Sequence, residues 1–137
     1  MSTLPVPAPL VTPANERFWA ATAQHRFELQ RCTSCDTVVW FPQRHCPECW
    51  TETLDTFDAA GTGTVYSFTV VRRGNGDWRD AAPFVLAYVE LDEGPRVLTN
   101  IVNCDPDTVH IDMPVSLVWF DTGEGNALYR FAPQPTP

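Results

Sequence analysis

Along the chain the spacing of apolar residues changes character several times, and each change predicts a different element. Residues 1–13 hold Pro5, Pro7, Pro9 and Pro13, and proline's fixed φ and missing N–H favour an extended arm. Thr12 followed by Pro13 suits the N-cap and first position of a helix, and Ala14 to Gln24 supplies helix formers around Phe18 and Trp19. Neighbouring residues on a helix differ by about 100°, so one of these rings is expected to pack inward and the other outward. Phe27 and Leu29 then alternate with Arg26, Glu28 and Gln30, a two-residue period that predicts a strand running into Cys32. Thr37 to Phe41 is β-branched and aromatic and stops at Pro42, which predicts a small hairpin.

After Gly61-Thr62-Gly63, read as a turn or bulge, Tyr66, Phe68 and Val70 alternate with Ser67 and Thr69. Further strands are predicted over Phe84 to Leu91, Arg96 to Asn103, Val115 to Phe120 and Ala127 to Phe131, separated by Gly, Pro and Asp. The turn Glu93-Gly94-Pro95 makes the second and third of these a hairpin. Five strands without a long helix predict a small OB-type barrel. The fold class is therefore mainly β, with a proline-rich arm over 1–13, a short helix and a ribbon over 14–59, and a barrel with a C-terminal tail over 60–137.

A chain of 137 residues suits one domain, and 44% hydrophobic with 12% aromatic residues supports a real core. The longest unbroken apolar run, Phe84 to Val89, is far shorter than the ~20 residues a bilayer span needs. The start Met-Ser-Thr-Leu-Pro-Val-Pro lacks the basic and apolar regions of a secretory signal, so a cytoplasmic protein is expected. All 9 basic residues are arginines, set against 17 acidic ones for a net charge of -8. That balance disfavours non-specific binding to nucleic acid.

The strongest chemical signal is Cys32, Cys35, Cys46 and Cys49, two C-x-x-C pairs ten residues apart. Each pair lets both thiolates of a tight turn point at one ion, and two facing turns complete a tetrahedral sulfur set. This is the spacing of a zinc ribbon, with iron the competing metal because paired knuckles also hold iron. Two disulfides are the alternative, disfavoured where thiols stay reduced. Four protein ligands leave no open position for a catalytic water, so the site is expected to be structural. His45, beside Cys46, is expected outside the ligand set, and Cys104 as a small packed residue.

Phe18-Trp19, the two knuckles, Phe41-Pro42-Gln43-Arg44, the segment from Gly61 to Thr69 and Phe131-Ala132-Pro133 occur in an order that is specific in combination. This order resembles the rubredoxin-like zinc-ribbon plus OB-fold proteins known as domain of unknown function thirty-five, which accompany acyl-CoA enzymes. The resemblance covers nearly the whole chain. It implies a non-catalytic accessory subunit of a thiolase-fold partner, here an aldolase that cuts a steroid side-chain acyl-CoA by retro-aldol chemistry, in a two-plus-two heterotetramer. Service to a thiolase, an acyltransferase or a hot-dog-fold hydratase is the alternative. The family often carries glycine after each knuckle, near position 25 and before the fourth barrel strand, where this chain has Asp36, Trp50, His25 and Asp112. Trp tolerates left-handed backbone poorly, so distortion of the second knuckle is expected.

Phe18, Trp19 and Trp78 are the expected partner anchors, since aromatic side chains are enriched in interface cores, with packing against the ribbon the alternative for Phe18 and Trp19. Arg72 and Arg73, near Arg79, suit CoA phosphates at the entrance of the partner's acyl-CoA channel, with a solvated charged loop as the alternative. An OB barrel with aromatics also suits single-stranded nucleic acid, but that reading needs clustered cations that an acidic chain does not supply. An independent enzyme would need Cys104, His110 and a carboxylate such as Asp112 brought together, and nothing in their spacing does so.

Overall fold

The computed structural model describes residues 4–135, so positions 1–3 of the expected arm and 136–137 of the tail lie outside the described residues. A short helix, α1 (Glu16–Thr22), leads into a three-stranded sheet of β1 (Glu28–Cys32), β2 (Val38–Val39) and β3 (Leu54–Asp58), ordered β2-β1-β3. Five more strands follow: β4 (Thr62–Val71), β5 (Phe84–Leu91), β6 (Arg96–Ile101), β7 (Pro114–Asp121) and β8 (Ala127–Pro133). They close into a barrel in the order β4-β5-β6-β8-β7, and β7 pairs back onto β4. All contacts are antiparallel except β6 with β8, which meet in parallel at Ile101 and Phe131. Full closure leaves the barrel no open edge.

The helix begins later than Thr12-Pro13 suggested. Asn15 occupies the N-cap position, and its Oδ1 accepts from Thr12 N–H at 2.7 Å while its Nδ2 donates to Leu10 O. The Thr12-to-Asn15 stretch is thereby spent on a turn. At the other end His25 N–H donates to Thr22 O and Arg26 N–H reaches Ala21 O, a Schellman-type stop with His25 at φ +56°. The buried Thr22 hydroxyl accepts from Ala127 N–H at 3.0 Å and pins the helix to β8. Phe18 and Trp19 are both buried, at 3% and 7% exposure, which overturns the inward-and-outward expectation. The reason is that the helix is covered on two sides: Phe18 meets Phe27 and Trp40 of the ribbon, and Trp19 stacks on Tyr129 of the barrel.

The barrel core is built from Val65, Val85, Val89, Val97, Val115 and Phe131. In β4 a bulge between Val65 and Ser67 sends Val65 inward and turns Tyr66 out, beneath the Arg96 guanidinium at 3.7 Å. The simple alternation of Tyr66 with Phe68 is broken there because one extra residue flips the register of faces. Gly63 is required by close approach, since a Cβ at that position would stand 2.3 Å from Glu90 O. Strand β3 was not anticipated from the sequence. Its polar residues show no clean period, and it exists because β1 offers a free edge, with Cys32 paired to Leu54 and Glu28 to Asp58.

Candidate metal centre and neighbouring surfaces

The two cysteine knuckles are built alike. In the first, Asp36 N–H donates to Cys32 O at 2.8 Å and Cys32 N–H to Thr37 O; in the second, Trp50 N–H donates to Cys46 O at 2.8 Å and Cys46 N–H to Thr51 O. Asp36 and Trp50 both sit at φ +65°. The second knuckle is therefore not distorted, contrary to the expectation drawn from Trp50. Its hydrogen bonds hold a bulky residue in the geometry glycine would take freely. His25 and Asp112, the other two departures from glycine, also lie at positive φ.

The four Sγ atoms of Cys32, Cys35, Cys46 and Cys49 lie within 4.8 Å of one another, with 3.5 Å between Cys32 and Cys49 and between Cys35 and Cys46. Tetrahedral zinc with ~2.3 Å bonds requires sulfur–sulfur edges of ~3.8 Å, so these sulfurs fit one ion. They are much too far apart for disulfides, and all four are free thiols. At two of these positions the surroundings favour the thiolate. Thr53 Oγ1 lies 3.4 Å from Cys32 Sγ and holds that thiol well below its usual range, helped by the backbone N–H groups of Cys35 and Ser34. Thr51 acts likewise on Cys49. Burial pushes Cys46 up, opposed by the N–H groups of Cys49 and Glu48, so this position depends most on a cation to ionise it. The donor set suits zinc or iron, and either closes a structural site. His45 faces Glu52 at 3.1 Å, outside the sulfur set.

The other expected site residues are scattered. Phe18 and Trp19 are consumed by the internal aromatic cluster and offer no exposed face. Trp78 is half-buried on the 3-10 turn Gly76–Trp78, against Phe84 at 5.0 Å. Arg72 and Arg73 are exposed, and Arg72 pairs with Asp107 at 2.8 Å. Cys104, His110 and Asp112 share no hydrogen bond among the described residues. His110 Nδ1 donates to Thr108 O, and burial raises the Cys104 thiol.

A surface missed from the sequence lies on the outer face of β5 and β6. Leu86, Tyr88 and Leu98 are exposed there, with Tyr88 opposite Leu98. The signal was present in the run Phe84 to Val89, where both alternating sets are apolar. Strands covered on both faces read this way, whereas a solvated barrel wall alternates. No helix among the described residues is long and apolar enough to cross a membrane.

A four-cysteine ribbon joined through an aromatic cluster to a five-stranded barrel defines the class of rubredoxin-like zinc-ribbon plus OB-fold proteins. Residues 19–55 match the ChsH2 rubredoxin-like zinc ribbon domain and residues 57–120 the ChsH2 C-terminal OB-fold domain. The chain is 38% identical to a DUF35 domain-containing scaffold protein of Methanothermobacter thermautotrophicus, over 75% of this chain and 79% of that protein. It is 38% identical in sequence to a chain solved as the "Ltp2-ChsH2(DUF35) aldolase", with a TM-score of 0.83 over 92% of this chain and 98% of that one. A "Probable enoyl-CoA hydratase alpha subunit" of Thermomonospora curvata is 39% identical over 93% of this chain, which spans only 40% of that relative's length. The chain belongs to the DUF35 family.

Proposed function

We propose that this chain is a non-catalytic accessory subunit of a thiolase-fold aldolase, stabilising the enzyme and shaping its acyl-CoA entrance. The observation that carries this reading is its likeness to the DUF35 aldolase chain over almost the full length of both. The exposed face of Leu86, Tyr88 and Leu98, beside Trp78, supports it, because an apolar barrel wall is costly in water and suited to a protein partner. Retro-aldol cleavage needs a base for the hydroxyl proton and donors for the emerging enolate, and the partner supplies both. Steroid side-chain acyl-CoA is the proposed substrate and two-plus-two the proposed assembly. Arg72 and Arg73 are proposed at the mouth of the channel, facing CoA phosphates.

A second reading, service to a hydratase, is favoured by the name of the Thermomonospora relative. Co-purification from the native host separates the two. A thiolase-fold partner whose complex cleaves a β-hydroxyacyl-CoA, while this chain alone does not, is the expected result. A hot-dog-fold partner transfers the role to hydration, and recovery of nucleic acid alone overturns both readings. Tyr88→Glu is expected to abolish complex formation while leaving the barrel folded. Replacing Arg72 and Arg73 is expected to raise the complex's KM for acyl-CoA with kcat retained.

A further inference from the structure

A solvent-open cavity of about 190 Å³ lies against β6 and β8, with Pro7 of the arm and Trp78 also in its wall. Two side-chain nitrogens of residues lining it have no hydrogen-bond partner among the described residues, Trp19 Nε1 and Arg130 Nη1, and both are shut off from solvent. Arg130 is only 2% exposed. Arg17, Arg26, Arg31, Arg72 and Arg96 each meet a carboxylate, and Arg44, Arg73 and Arg79 are exposed to water. Arg130 differs from all of these, being buried with no carboxylate beside it among the described residues. Its Nη2 donates to Pro5 O and its guanidinium lies 4.7 Å from the centre of the Phe120 ring, and neither contact neutralises the charge.

The remaining lining adds no anion. The Thr99 hydroxyl is taken by Tyr129 O and the Asn100 amide by Val85 O. Burial lifts the Tyr129 hydroxyl to about 12, so it stays neutral. Leu98, Leu128 and Trp78 supply apolar walls. A buried cation with an unused N–H, a second unused N–H and hydrocarbon around them match an acceptor group of single negative charge on a short apolar body.

We propose that this cavity binds a short-chain carboxylate, its oxygens taking the free hydrogen bonds of Arg130 Nη1 and Trp19 Nε1 and its carbon chain lying between Leu98 and Leu128. The cavity already opens to solvent beside the exposed Leu98, whereas the two nitrogens lie beneath its surface, so binding requires the side chains over them to move aside. The group is either a free acid or a carboxylate carried by a protein partner. The inference does not rest on the accessory role, since its first test needs this chain alone.

The test follows the Trp19 indole N–H by NMR in the zinc-loaded chain, assigned with Trp19→Phe, while butyrate or its neutral isostere butyramide is added. A saturable shift with butyrate and a response at least tenfold weaker with butyramide is expected for a free acid, and Arg130→Gln then removes it. If Arg130→Gln fails to fold, the contrast between butyrate and butyramide in the unsubstituted protein still decides. If butyrate is silent but the indole shifts in the co-purified complex, and Arg130→Gln abolishes that shift, the carboxylate is the partner's. Equal responses to butyrate and butyramide, or no shift in either arrangement, overturn the proposal.

Discussion

Between residues 28 and 58 the fully enclosed side chains are few, chiefly Leu29, Cys32, Val39 and Cys46, and two of these four belong to the cysteine cluster. The barrel, by contrast, encloses Val65, Val85, Val89, Val97, Val115 and Phe131 and closes its own edges. The ribbon has one strand of two residues and too little apolar area to order its loops, so a metal must supply what burial cannot. The two regions nevertheless share a boundary. Phe18, Phe27, Trp40 and Tyr129 interlock at 5.1–5.9 Å, all pairs edge to face except the stacked Phe27 and Trp40, drawing one ring from the helix, two from the ribbon and one from the barrel. Glu28, buried beside them, is held by Arg17 and Arg26 at 3.2 Å each. The lesson is that a metal-dependent region and a self-sufficient one can share a single core.

The sharpest way to break this comparison is to remove the metal. Structural zinc contributes on the order of 10 kcal/mol in small modules, so Cys46→Ser or chelation is expected to unfold the ribbon. Hydrogen exchange should then show the Cys32 and Cys46 amides opening while those of Val89 and Val97 stay protected. Loss of protection in both regions would mean that the aromatic boundary makes them one cooperative unit.

Next in size is the converse experiment. Phe131→Ala is expected to cost about 3–5 kcal/mol, because the ring is fully enclosed at the one parallel contact closing the barrel. The unfolding midpoint should fall while the folded fraction keeps one metal ion per chain.

Tyr129 tests the boundary itself. Burial raises its folded hydroxyl from 10.0 to about 12, so the unfolded chain loses that proton first and stability falls as pH rises through that window. The loss is about 2–3 kcal/mol. Tyr129→Phe should flatten this alkaline limb, measured by denaturant titration against pH.

The smallest effect sharpens the likeness between the knuckles. Trp50→Gly relieves a non-glycine residue at φ +65° whose side chain is 75% exposed, and should stabilise the ribbon by up to about 1 kcal/mol. Asp36→Gly should gain less, since Asp tolerates this geometry and Asp36 pairs with Arg31 at 3.3 Å. Comparing amide exchange at Cys46 and Cys32 in the two variants checks this.

Much of the architecture could be read from local pattern. The expected strand Phe84 to Leu91 coincides with β5, and Val115 to Phe120 and Ala127 to Phe131 fall inside β7 and β8. Alternation with turn residues at each end is a local property, so it survives whatever the neighbours do. The cysteine spacing was equally legible, because two residues between thiols and ten between pairs already constrain how the sulfurs converge. Strand β3 was not, since it is recruited by the open edge of β1 rather than by its own pattern. The burial of both Phe18 and Trp19 was hidden for a similar reason. A helix read alone has one buried face, and only the ribbon and barrel closing on it from two sides change that.

The sequence by itself determined the four-cysteine cluster, the β character and the order of helix, ribbon and barrel, because each follows from residue chemistry at short range. Tertiary structure alone decided which aromatics are spent inside and which hydrophobic wall is left outside. It also decided that one arginine of nine is enclosed without a carboxylate among the described residues. These depend on which distant segments meet, and short-range periodicity carries no information about that.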